Sequence, residues 1–381
     1  LKNSYDYIIT GAGCAGLSLL FRMMNDPFFD EKKILVADES FKNKNDRTWC
    51  FWEKENGLFE NIIHHRWQQI DFFSNEFSAR FDIFPYQYKM IRSIDFYDHI
   101  INAAKQRTNI DFHFGKIEAV ENEADKAFAL IDEKKIYANY LFNSILFNRS
   151  FTGKYNLLQH FKGLLIETDE NIFDEKIATF MDFRVNQIYG TTFVYVLPVA
   201  ANKALVEYTL FSEKILSQYE YDEALKNYLS EFFKINTYKI IEEEFGIIPM
   251  TDHRFSKGSE KIINIGTAGG QTKASSGFTF QFIQKHSAAI VDALINKKDP
   301  LIENSFFKKR FHLYDKTLLH ILHHKKMNGA EIFSDLFKKN PPQRVMRFLD
   351  NETNFSDELK IMQSVPSKIF LPAALKELFD F

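Results

Sequence analysis

The chain has 381 residues, more than one average domain and enough to bury a sizeable core. Hydrophobic residues make up 45% and charged residues 26%, the balance of a globular protein rather than of a disordered or fibrous one. A formal net charge of −3 argues against nucleic acid as a partner, and two cysteines, Cys14 and Cys50, are too few for a disulfide framework or a cysteine-built metal site.

The first residues run straight into a strand-like stretch, so no secretory signal is expected; no apolar run reaches the length of a membrane-spanning helix. The 41 phenylalanines have two readings, a compositional bias or an aromatic cavity for a large apolar ligand, and composition does not separate them.

Tyr5 to Thr10 reads as a short apolar strand that runs into Gly11-Ala12-Gly13-Cys14-Ala15-Gly16. Leu17, Leu19, Leu20, Met23 and Met24 then follow with helical spacing. Strand, glycine turn and helix form the context in which GxGxxG binds a dinucleotide. Gly11 permits the tight turn, Gly13 the approach of a pyrophosphate, and Gly16 close packing of helix on strand. Ala15 lies at the helix start, whose N–H groups face the phosphates. A second strand, Lys33 to Ala37, ends at Asp38, placed for a ribose hydroxyl. That acid favours FAD or NAD over NADP, since it repels a 2′-phosphate.

Gln68 to Lys89 shows alternating apolar patches and reads as a β-rich insertion. Residues 160 to 250 look similar, with strands expected near Leu164–Glu167, Phe193–Leu197 and Ala204–Phe211. In the last of these, Leu205, Glu207, Thr209 and Phe211 share one face. Ile262 to Ile265 reads as a further strand before Gly266-Thr267-Ala268-Gly269-Gly270 and Gly277, with a helix expected to begin near Ser275–Gly277. A dinucleotide held by both an N-terminal βαβ unit and a late strand–glycine–helix element is the layout of FAD enzymes. Common flavoproteins carry an acid where Thr267 stands.

Between Phe306 and Arg347 ten basic residues face three acids, interleaved with Phe306, Phe307, Phe311, Leu318, Leu319 and others. Basic amphipathic helices of this kind suit an anionic membrane surface; an ordinary helical cap with a core face fits the pattern equally. His320, His323 and His324 have helical spacing but lysine neighbours and no adjacent acid, so a metal site is not expected.

In four ordered segments the chain resembles the lycopene β-cyclases. They are the glycine fingerprint; Asp46-Arg47-Thr48-Trp49-Cys50-Phe51-Trp52; Phe180-Met181-Asp182-Phe183-Arg184 with Phe193 to Pro198 and Leu205-Val206-Glu207-Tyr208-Thr209; and Glu244 to Met250 with Gly266-Thr267-Ala268-Gly269 and Ser275-Ser276-Gly277-Phe278. Thr267 is expected in such an enzyme. Two departures stand out: Tyr208 follows Glu207 where the family often has a second acid, and Gly270-Gln271-Thr272-Lys273 is more polar than usual.

The resemblance implies an α/β chain with a Rossmann-type FAD-binding fold in three layers (β-β-α), a β-sheet substrate domain and a helical C-terminal region. The expected division is FAD binding over 1–60, an insertion over 61–90, FAD binding over 91–160, a substrate sheet over 161–245, FAD binding over 246–298, and the helical region over 299–381. It implies cyclisation of the ends of lycopene, or a related acyclic carotenoid, to β-rings without net oxidation. The flavin works reduced, with NADPH or NADH needed only to reduce it.

The chemistry needs a dry proton donor, a stabiliser of positive charge and a cavity free of water. Glu207, on an apolar strand face, is the candidate donor, since desolvation keeps a carboxyl protonated. Asp182 and Glu244 are the second acids, able either to hold Glu207 in its protonated form or to serve as structural acceptors. Arg47 and Arg184 pair with these acids, with flavin phosphates, or with surface partners. Trp49, Trp52 and Tyr195 are the aromatic candidates for the substrate side. Gly11, Gly13, Ala15, Gly16, Asp38, Arg47, Gly266, Gly269 and Gly277 are those for the cofactor. A cytoplasmic enzyme bound peripherally to the cytoplasmic membrane is expected, because carotenoids reside in lipid. The rival readings are an FAD-dependent monooxygenase or prenyl-chain reductase, and a carotenoid-binding flavoprotein without catalysis.

Overall fold

The computed structural model describes residues 2–147, 150–302 and 306–379, and the side chains of all of these except 306–308. Phe306, Phe307 and Lys308 of the basic stretch therefore lie outside the described side chains.

The strand Ser4–Thr10 pairs in parallel with Ile34–Asp38 on one side and Lys134–Asn143 on the other. Ile110–Phe114 and Ile262–Asn264 extend this parallel core outward, and the strands Ile117–Glu123 and Lys126–Ile131 continue antiparallel from Lys134–Asn143. Alternation along the strands decides the layers. Tyr7, Ile9, Ile34 and Val36 pack on the helices Cys14–Met24 and Phe280–Ile295. Ile8, Leu35 and Ala37 point the other way, onto Ala127, Ala129 and Ile131 of the antiparallel strands. Helix, sheet and meander give the Rossmann-type three-layer β-β-α arrangement.

Among the described residues a second sheet has seven strands, ordered Lys239–Thr251, Asn156–Glu167, Lys203–Ser212, Thr191–Ala200, Ile177–Asp182, Gln69–Phe73 and Ser78–Asp82. One face, with Val206, Tyr208 and Leu210, is sealed by the helix Gln218–Phe233. That helix breaks the expected run of strands over 160–250. Its signals were a Ser217–Glu220 capping box and buried Tyr221, Leu225, Tyr228 and Leu229 at helical spacing. The opposite face carries Leu205, Glu207, Thr209 and Phe211 and turns toward the first sheet and the C-terminal helices.

The late helix starts at Phe280, not near Ser275–Gly277. The reason is local: Gly277 has φ +73° and its N–H bonds back to the Lys273 carbonyl, so residues 273–279 form a loop. Buried Lys273 anchors that loop on Asp315 at 2.7 Å. The helices Phe306–His323, Gly329–Lys339, Pro342–Leu349, Phe355–Ser364 and Ser367–Phe379 cover the remaining side. Phe311, Leu319, Ile321, Phe333, Leu336 and Phe337 of the basic stretch are buried, so its apolar face is spent on the protein's own core. Among the described residues no helix is long and apolar enough to cross a membrane.

Candidate active site

A cavity of about 450 Å³ lies between the two sheets. Its floor is the glycine turn with Gly13 and Ala15, its flank the late segment from Gly266 to Phe280, and its roof the inward face of the seven-stranded sheet.

Four residues form a row across that roof. Glu244, Gly163, Glu207 and Tyr195 stand opposite one another on four successive antiparallel strands. Strands lie about 4.8 Å apart, so the two glutamates begin nearly 10 Å from each other, with the glycine strand between them. Gly163 offers no side chain, and the carboxyls of Glu207 and Glu244 meet over it in a shared hydrogen bond. A methyl group at 163 would stand 2.9 Å from Glu244 Cγ and 3.2 Å from Leu205 Cδ1.

Both glutamates line the cavity and are half-buried at its wall. Burial pushes the Glu207 carboxyl well above the ordinary glutamate range, and the neighbouring Glu244 charge pushes it further. The Thr209 hydroxyl, donating to Glu207 Oε1 at 2.6 Å, opposes this only in part. Burial raises Glu244 to about 7, moderated by hydrogen bonds from Thr48 and Glu207 and by the nearby Arg47 charge. Two acids this close cannot both ionise in a dry site. Cys50, Tyr88 and Tyr195 surround Glu207, and burial together with its charge raises all three, so none supplies a compensating anion or cation. The arrangement is a carboxyl pushed well above its usual range at an aromatic-walled cavity, the setting of a proton donor.

The floor fits a dinucleotide. A side chain at Gly13 would meet nothing within 4 Å, so the backbone there is open to the cavity. Gly16 lets helix and strand close up, since a Cβ there would lie 2.0 Å from the Gly11 carbonyl oxygen. Gly266, at φ +62°, approaches Ala15 so closely that a Cβ would stand 2.8 Å from the alanine methyl; this joins the two halves of the cradle. Gly269 and Gly277 are likewise pinned, against the Asn264 carbonyl and the Gln159 side chain. Asp38 accepts from the Ala12 N–H at 2.6 Å and from Lys42 at 3.1 Å, at the edge of the turn. Two buried polar atoms in the cavity wall, Gln159 Oε1 and Ser276 Oγ, have no hydrogen-bond partner among the described residues. Such orphans fit a bound polar ring system.

The other predicted residues divide. Trp49, Tyr195 and Arg47 line the cavity, and Arg47 donates to the carbonyls of Asp46 and Phe245. Trp52 stands behind the wall, edge-on to Phe278 at 4.9 Å. Asp182 is not brought to the glutamate pair. It is fully buried with Arg184 in a two-point ion pair and accepts from the Tyr228 hydroxyl at 2.7 Å. His320 sits in a buried network with Tyr155 and Glu377. Gly163, Gln159 and Tyr88 escaped the sequence reading. A lone glycine inside an otherwise apolar strand was the available signal for the first.

No curated protein matches the sequence. Solved structures resemble it in fold at low identity. A geranylgeranyl bacteriochlorophyll reductase-like protein from Thermoplasma acidophilum has a TM-score of 0.67 at 12% identity, covering 99% of both chains. A flavoprotein/dehydrogenase from Cytophaga hutchinsonii has 0.67 at 10%, also over 99% of both. Klebsiella pneumoniae HpxO, solved with FAD and uric acid, has 0.66 at 14% over 91% of this chain and 96% of its own. The family described as lycopene cyclase protein matches residues 6–374, nearly the whole sequence, and the chain belongs to that family.

Proposed function

We propose that this protein is a lycopene β-cyclase: it binds FAD in the cradle and closes the open ends of lycopene, or a related acyclic carotenoid, into β-rings by acid catalysis. The observation that carries the reading is the pair of Glu207 and Glu244 at the wall of an aromatic cavity, with the Glu207 carboxyl held well above the ordinary glutamate range. Glu207 delivers its proton to the terminal double bond, the neighbouring double bond attacks the cation, and loss of a proton completes the ring. Tyr195, Tyr88 and Trp49 present π faces to the positive charge and keep water out. Gly13, Ala15 and Gly266 would hold the cofactor's phosphates, and Gln159 and Ser276 its ring or the substrate. A reduced flavin held there would supply an electron-rich ring to stabilise positive charge, with NADPH or NADH as the source of its electrons.

Substrate collection from lipid falls to the last two helices in this reading. Phe355, Leu359 and Met362 make an exposed stripe on one, and Leu371, Leu375, Leu378 and Phe379 on the next. Exposed Lys360, Lys368 and Lys376 flank them. An apolar stripe bordered by lysines suits an anionic bilayer and a peripheral position on the cytoplasmic membrane.

Product mass tests the reading. Cyclisation gives an isomer of the acyclic substrate, with shifted absorption and unchanged mass. Gain of oxygen or hydrogen, with stoichiometric consumption of NAD(P)H, would assign the cavity to a monooxygenase or prenyl-chain reductase instead.

A further inference from the structure

Each ring costs Glu207 one proton, and an apolar substrate in the main cavity stands between Glu207 and the water at that cavity's mouth. A second, smaller cavity of about 30 Å³ lies behind Glu244. Thr48, Leu205 and Glu244 line both cavities, and of these three Glu244 alone is ionisable. Beyond these three, the polar Asn45, His64, Arg92, Glu242 and Glu243 line the chamber together with Met90, Leu165 and Val199. His64 and Glu243 are exposed, so the chamber reaches the protein surface. Its volume is sufficient for a water molecule, with carboxylate, amide and hydroxyl partners at hand.

We propose that this side chamber is the proton entrance of the site, through which solvent water reprotonates Glu244, and Glu244 in turn reprotonates Glu207 between turnovers. The proposal rests on the acid-catalysed reading and deepens it. The proton balance closes. Glu207 gives its proton to the alkene and becomes a carboxylate, which takes the proton of Glu244 along their shared hydrogen bond. The Glu244 carboxylate is refilled by chamber water, and the ring cation releases one proton to water at the mouth of the main cavity. One proton enters and one leaves per ring, and no electron moves.

The charges around Glu244 suit a relay. Arg47 faces it from the Thr48 side, Glu207 from across Gly163, and Glu242 from its own strand. Farther out, Glu242 is held by Asn45 at 2.6 Å, Arg92 is engaged by Asp95 at 2.7 Å, and Glu243 by Lys162 at 3.3 Å. His64 stands at the surface end. Glu244, at about 7, lies between the more basic Glu207 carboxylate and bulk water at neutral pH, so it can both give and regain a proton.

The test compares the first ring formed per enzyme with later rings, using purified flavin-loaded protein and an acyclic carotenoid in H2O and D2O. In the wild type, products made in D2O carry one solvent deuterium per ring. In Glu244→Gln a stoichiometric burst of rings appears, drawn from the proton already on Glu207, and subsequent turnover slows at least tenfold. Val199→Met, which narrows the side chamber and leaves both glutamates in place, gives the same burst and slow phase; its flavin absorbance reports the fold. Wild-type turnover in both variants overturns the proposal, as does equal slowing of first and later rings, or products without solvent deuterium. Failure of the wild type to form any ring strikes the functional reading itself and is distinguished by that absence.

Discussion

Glu207 and Glu244 occupy strands that do not touch, yet their carboxyls share a hydrogen bond because each is paired across the sheet with Gly163. The sheet brings two acids together at the cavity wall, and their proximity and desolvation favour the protonated form of Glu207. Replacing Glu207 by Gln preserves the shape and removes the transferable proton. Ring formation is expected to fall by about 100-fold or more, the usual worth of a general acid. Bound flavin and bound pigment, measured by absorbance, should be unchanged.

Gly163→Ala isolates the gap. Alanine suits a strand better than glycine, so backbone preference alone predicts a small gain in stability. The added methyl meets Glu244 Cγ at 2.9 Å and parts the carboxyls. Overpacking of this kind costs about 1–3 kcal/mol, which corresponds to a loss of roughly tenfold to a hundredfold if it falls on the reactive pair. Turnover and thermal unfolding measured together check this: activity should drop while flavin content holds.

Stability should depend on pH through the same pair. Glu244 has its folded value raised to about 7 from an ordinary 4.5, so between these values the folded state holds more protons than the unfolded one. Its contribution is fully present below about 4.5 and is lost as pH rises through about 7, worth at most about 3 kcal/mol. Glu207, raised further, extends the decline to higher pH. Glu244→Gln should therefore flatten the profile and unfold at a higher temperature than wild type at pH 8, in melting curves recorded from pH 5 to 8.

Gly13 permits a clean test of the cradle. It has φ −87°, which any residue adopts, and its missing side chain points into open space. Gly13→Val should fold normally by circular dichroism and lose FAD on gel filtration, because the new side chain occupies the place of the pyrophosphate.

The apolar stripe on the last two helices makes a separate prediction. Leu375→Glu puts a charge on an exposed position, so folding should be unaffected within about 0.5 kcal/mol. Co-sedimentation with vesicles of anionic lipid should fall several-fold, and activity on carotenoid held in those vesicles should fall with it.

Much of the floor was legible in the sequence because glycine turns obey strict backbone rules. Gly11, Gly13 and Gly16 marked the first turn, and Gly266 and Gly277 the second, before any contact was known. Glu207 was legible as a charged residue inside an apolar strand. Its partnership with Glu244 was not, since the two are joined by the order of strands in the sheet, which periodicity does not reveal. Asp182 shows the converse. Its motif resembled a catalytic one, and the fold gave it to half-buried Arg184 and to Tyr228. The helix Gln218–Phe233 was visible in its spacing and capping box but hidden by the strands around it. The basic stretch after Phe306 carried a membrane-like pattern, yet most of its apolar face is core, and the exposed stripe lies on the helices beyond.

The protonation state of Glu207 is the point on which the chemistry turns. Infrared difference spectra of wild type, Glu207→Gln and Glu244→Gln at pH 7.5 read it directly from the carboxyl C=O stretch. The account predicts a neutral-acid band in the wild type that survives in Glu244→Gln and falls to a minor Glu244 contribution in Glu207→Gln. A wild type without that band, with only ionised carboxylate at position 207, would contradict it.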